Sequence, residues 1–150
     1  KENMRIRITK MTKNYKILTS YVKNISSKIS DTESFIYVKE NIPKYSLGID
    51  INSMPLKNNM AEISIKLTFS DKDDKDQKAY FEMTHATVVR VEESAVNKDE
   101  LKKIFLSEVP TEMYPEIEKK FFEIVKSIGY PEIRLGKRVD FKDLFEKNQK

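Results

Sequence analysis

The hydrophobic pattern of this chain changes period once, near residue 97. Before that point apolar and polar positions alternate. Leu47, Ile49 and Ile51 fall on one side, with Gly48, Asp50 and Asn52 on the other. After a turn from Met54-Pro55 to Asn59, Ile63, Ile65, Leu67 and Phe69 alternate with Glu62, Ser64, Lys66, Thr68 and Ser70. A period of two marks half-buried strands with one wet face. Tyr80 to Glu92 repeats it and sets Phe81, Met83, Thr87, Val89 and Val91 together. Asp71 to Lys78 lies between as a charged loop. Three strands joined by short turns predict an antiparallel meander. Upstream, Tyr15 to Ser26 carries Ile17, Leu18, Tyr21, Val22 and Ile25 without Pro or Gly, which predicts a first strand. Ser27 to Lys44 is a long mixed connection with an apolar cluster at Phe35, Ile36, Tyr37 and Val38. Connections of that length in compact domains are usually functional or disordered.

After Asn97 the spacing becomes helical. Leu101, Ile104 and Phe105 share one side of Lys98 to Leu106, with Asn97 as N-cap. Thr111 to Ile128 is the strongest helix, with Thr111 as N-cap. Its stripe is Met113, Ile117, Phe121, Ile124, Val125 and Ile128, and Phe122 lies off it. Gly129 suits the position just past the helix, and Pro131 follows. Asp140 caps a last helix, Phe141 to Asn148. The expected class is α+β: a four-stranded antiparallel sheet followed by packed C-terminal helices.

Composition narrows the possibilities. A chain of 150 residues fits one domain and one core. The absence of cysteine removes disulfides, thiolate metal sites and cysteine nucleophiles, and it fits a reducing compartment. The basic stretch Lys1 to Lys13 has no apolar core and is not expected to be a secretory signal. Residues 1–14 are expected to be a basic tail outside the fold, with its order left open, and 15–150 the folded domain. Met4 or Met11 is the expected natural start. The net charge of +4 arises largely in that tail, so it says little about nucleic acid.

Catalytic chemistry is poorly supplied. His85 is the lone histidine and is expected to be a strand residue with a local hydrogen bond. A metal site would need carboxylates alone. Gly48, Gly129 and Gly136 are too scattered for a phosphate loop. The acidic run Asp71 to Asp76 lacks the central Gly and final Glu of a calcium loop. Neither cofactor nor metal is expected, and no enzyme. Apolar side chains in the long connection suit a binding surface instead, because hydrophobic attraction is non-directional and tolerates many partners.

The order of motifs resembles the SecB protein-export chaperone family. The segment YVKNIS (Tyr21 to Ser26) is similar to that family's first strand. FEMTHATVVRV (Phe81 to Val91) is similar to its fourth, with Glu82 in the usual place. VPTEMYP (Val109 to Pro115) resembles the opening of its long helix. GYPEI (Gly129 to Ile133) and VDFKDLF (Val139 to Phe145) resemble its close. The likeness spans Tyr15 to Asn148.

That resemblance implies a cytoplasmic homotetramer, a dimer of dimers. It would hold unfolded preproteins and deliver them to the SecA translocation ATPase, with no direct membrane insertion and no nucleic acid. It implies a client groove of Phe35, Ile36, Tyr37, Ile42 and Tyr45 facing Phe141, Leu144 and Phe145. It implies contacts between copies around Tyr114, Ile117, Phe121 and Val125. The SecA-facing surface would include Asn24, Lys28 and Glu82. Here Asn24 and Lys28 stand where the family carries acids, which weakens attraction for a basic partner. The alternative is a SecB-like chaperone for another partner, such as an antitoxin, without SecA docking.

Overall fold

The structure is a computed structural model that describes residues 14–92, 97–133 and 139–148. The predicted tail, apart from Asn14, lies outside these residues. Four strands form one antiparallel sheet: β1 (Tyr15–Ile29), β2 (Tyr45–Pro55), β3 (Met60–Asp71) and β4 (Ala79–Val91). Their order is β1-β4-β3-β2. The meander β2-β3-β4 is as the alternation predicts, and β1 joins its far side, the order of a Greek key. The β2–β3 turn places Asn58 and Asn59 in the left-handed region, where a short polar side chain is tolerated.

Register puts the odd-numbered residues of β3 and β4 on one face. Phe69 sits opposite Phe81, Leu67 opposite Met83, Ile65 opposite His85, Ile63 opposite Thr87 and Ala61 opposite Val89. All ten are buried. Two bulges in β1 leave Leu18 and Lys23 unpaired and shift the register each time.

One long helix covers this face. It comprises α2 (Lys98–Lys103), a π-helical turn (Ile104–Glu108) and α3 (Val109–Ser127). Together they run about 45 Å, enough to cross the sheet. Asn97 caps the start by accepting from the Glu100 N–H at 2.9 Å. Thr111 is not a cap: the helix runs through it, and its hydroxyl donates to the Ser107 carbonyl at 2.6 Å. The physical reason lies in Pro110, which has no N–H to give the Leu106 carbonyl. The ladder shifts instead, and the Val109 N–H reaches back five residues to Ile104. The helix stops at Gly129, whose φ of +109° few other residues tolerate. The final helix, α4 (Phe141–Asn148), is capped by Asp140, whose Oδ1 accepts from the Asp143 N–H at 3.0 Å.

The connection after β1 is ordered. It holds α1 (Thr32–Glu40), which Asp31 caps through Ser34 N–H at 2.8 Å, and a 3-10 turn at Ile42–Lys44. Strand β1 ends opposite Ala79, and β2 begins opposite Asp71. Both termini therefore lie at one end of the sheet, and α1 closes that end. His85 also departs from expectation. Its ring contact reaches Lys120 on α3, 35 residues away.

Candidate functional site

At the α1 end, apolar and acidic groups meet. Val38 and Ser34 anchor α1 inward, and Ile36 is about half exposed. Phe35 lies against the helix terminus: a Cβ on Gly129 would come within 3.3 Å of its ring. The Lys39 ammonium sits 5.7 Å from that ring's centre. Tyr45 is buried, 5.3 Å from Phe69 and edge-on to Tyr130 at 6.3 Å. Ile42 packs half-buried on the same core. The Tyr37 hydroxyl donates to Asp71 Oδ2 at 2.6 Å. That bond, then burial, pushes the Tyr37 pKa up to about 12, and the same bond holds the Asp71 carboxyl below its usual range. Burial alone is the leading reason that Tyr45 is also pushed up to about 12. Beside Tyr37 a cleft of about 420 Å³ is rimmed by Asp31, Glu33, Asp73, Asp74 and Asp76, with Lys75 and Lys78 opposing them.

The other predicted groove residues collect elsewhere. Phe141 is buried with its ring 5.0 Å from Tyr114. Helix α4 lies against the π turn and α3. Leu144 is exposed and Phe145 half-buried. From Tyr114 to Ser127 the helix rises about 20 Å. The predicted groove is therefore drawn from two clusters along the long helix. The α1 cluster sits near its C-terminal end, and the α4 cluster near the π turn.

Sequence reasoning missed a further apolar cleft, of about 300 Å³, at the hairpin end of the sheet. Pro55, Leu56, Met60, Leu101 and Phe105 line it. The only sequence signal was the run Met54-Pro55-Leu56 inside a turn, where apolar residues are unusual. Leu18, Tyr21 and Ile25, predicted as part of the first strand, lie exposed on β1, which is an edge strand of the sheet.

Tyr114, Ile117, Phe121 and Val125 are the residues expected between copies. All four are buried within their own chain. Phe121 packs edge-on against Phe81 at 5.3 Å and Phe69 at 6.4 Å. A helical stripe of that spacing cannot distinguish a face turned to its own sheet from one turned to a neighbour.

The second predicted surface is the uncovered face of the sheet. Asn24 opposes Thr84, Lys28 opposes Tyr80, and Glu82 lies between those two partners on β4. The three residues thus share one face. Glu82 is not free there, since Lys66 Nζ sits 3.0 Å from it. Glu62, unpredicted, is buried on the same face. It accepts from the Tyr21 hydroxyl and from Lys23 Nζ, each at 3.0 Å. Lys23 is one of the bulged residues, and it holds the Glu62 carboxyl below its ordinary range.

Among the described residues no cluster of three or more His, Cys, Asp or Glu could hold a metal. No helix among them is long and apolar enough to cross a membrane.

Comparison with known proteins now gives this geometry a context. Residues 9–150 match the family model described as preprotein translocase subunit SecB. A protein of Pelagibacter ubique (strain HTCC1062), assigned the name protein-export protein SecB, is 41% identical over 91% of this chain and 97% of its own length. The protein-export protein SecB of Sphingopyxis alaskensis is 25% identical over 86% of this chain and 73% of its own. Among solved structures, a Mycobacterium tuberculosis SecB-like chaperone bound to a ChAD peptide from the HigA1 antitoxin superposes with a TM-score of 0.63. It does so at 10% identity, over 91% of this chain and 99% of that one. The four-stranded sheet with its C-terminal helices is therefore a SecB fold, and the chain belongs to the SecB family of chaperones.

Proposed function

We propose that this chain is a cytoplasmic holdase, not an enzyme, that binds unfolded preproteins by their apolar segments and delivers them to SecA for export. The observation that carries the reading is the pair of apolar clusters beside the long helix. Ile36 and Tyr37 are presented at one end, and Leu144 and Phe145 near the other. The roughly 20 Å of helix between Tyr114 and Ser127 matches the length of about six residues of extended chain. Apolar segments of that length are mostly buried in folded proteins and exposed in unfolded ones, which supports a preference for unfolded clients. Family membership supports the same reading.

Assembly into a homotetramer is part of the proposal. The apolar side chains turned out from edge strand β1 support self-association, because an unpaired edge is a template for a second chain. The purified assembly is expected to delay aggregation of a chemically unfolded client, in proportion to its concentration and without ATP. A client that aggregates at the same rate with and without it sinks the reading.

A second reading, a chaperone for another partner such as an antitoxin, is favoured by one contact. Lys66 neutralises Glu82 on the face assigned to SecA. Capture of the protein by an immobilised SecA C-terminal tail separates the two. Binding supports export, and no binding alongside intact holdase activity supports the alternative.

A further inference from the structure

His85 is fully buried between sheet and helix. Its strand neighbours, Val22 on β1 and Ile65 on β3, are apolar. Its Nε2 lies 3.4 Å from the Lys120 ammonium of α3, and its Nδ1 has no partner. An ammonium can only donate, so the contact is a bond when Nε2 carries a lone pair and a repulsion when it carries a proton. We propose that His85 and Lys120 form a pH-dependent clasp between the central strand β4 and the long helix, closed when the imidazole is neutral and opened by acid.

Three features support this. The imidazole Nδ1 has no hydrogen-bond partner, and the side chains paired with His85 across the sheet are aliphatic. Of the charged groups facing it, Lys120 opposes protonation and Glu116 favours it. Glu116 stands 4.0 Å from Lys120 with a side chain more than half exposed, so water weakens its help. Burial is the largest effect and, with Lys120, pulls the imidazole pKa below its ordinary 6.5. The sign follows. With the folded value below the unfolded one, the unfolded chain binds the proton first. Stability is therefore full above pH 6.5 and falls as pH drops toward the folded value. Opening would uncover Ile117 and Phe121, which are among the buried residues of the helix face.

With one histidine in the chain, a single imidazole signal reports the clasp by NMR. In the full protein its titration midpoint should lie below that of a free histidine. Amide exchange along α3 should accelerate as the pH falls through that midpoint, after correction for intrinsic exchange. Lys120→Met should move the midpoint upward, and His85→Gln should flatten the pH dependence of α3 exchange in that window. Lys120 is partly exposed, so its variant tests the idea even where His85→Gln fails to fold. An ordinary midpoint, or one unmoved by Lys120→Met, overturns the clasp.

Discussion

The two faces of the sheet are built from the same strands by opposite means. The covered face is a close-packed apolar layer in which Phe69, Phe81 and Phe121 meet edge to face. The open face is a set of cross-strand polar pairs: Lys66 with Glu82, Lys23 and Tyr21 with Glu62, and Ser26 with Tyr80 at 3.3 Å. Burial makes the first face strong and indifferent to salt. The second face is specific and weaker, because the lysine of each ion pair is exposed and screened by water. The difference shows how one sheet can keep a rigid core on one side and a surface open to partners on the other. It also shows that acids on a strand do not make an acidic surface when lysines opposite them are within reach.

The sharpest way to break the contrast is to open a cavity on the covered face. Phe121→Ala should destabilise the fold by about 3–5 kcal/mol, read as a lowered urea midpoint with unchanged slope. Gly129→Ala, where the helix ends against Phe35, should cost roughly 1–3 kcal/mol through its positive φ and the crowded ring. No loss of stability there would mean that the helix terminus adapts. On the binding side, Ile36→Asp with Leu144→Asp should weaken client affinity roughly tenfold, since each removes exposed apolar contact area. Normal circular dichroism with undiminished affinity would place the groove elsewhere.

The open face should respond to charge and acid instead. The Glu62 carboxyl is held below the usual 4.5 by Lys23 and Tyr21, so its contribution is present above pH 4.5. It is lost as the pH falls through the folded value. Glu62→Gln should remove that segment of the acid-unfolding curve, and a superimposable curve would count against it. The smallest expected effect is on docking. Lys66→Gln should release Glu82 and raise affinity for a basic partner tail a few-fold at low salt, with the gain fading as salt is added. Equal affinities at every salt concentration would show that Glu82 takes no part.

Much of this architecture was legible along the chain, and the exceptions have physical causes. Strands β2, β3 and β4 announce themselves because the alternation of side chains is a local property of extended backbone. Helix α1 was hidden. It buries only Ser34 and Val38, and its consecutive Phe35, Ile36 and Tyr37 follow no helical stripe. The junction at Pro110 looked like a beginning, since a proline and a threonine so often open a helix. A shifted hydrogen-bond ladder carries the helix through instead, and no side-chain pattern records that. The candidate groove was legible as a list of residues but not as an arrangement. Phe35 and Phe141 are alike on paper, and only packing sends one to Gly129 and the other to Tyr114.

Most of the secondary structure and the family were thus present in the residues themselves, because periodicity, caps and motif order act over short stretches of chain. The pairing of β1 with β4, the inward turn of Tyr114, Ile117, Phe121 and Val125, and the capture of Glu62 and Glu82 by lysines were not. Each depends on contacts between residues distant in the chain. A side chain's alternation or stripe says that one face is buried, and only the packed fold decides against what.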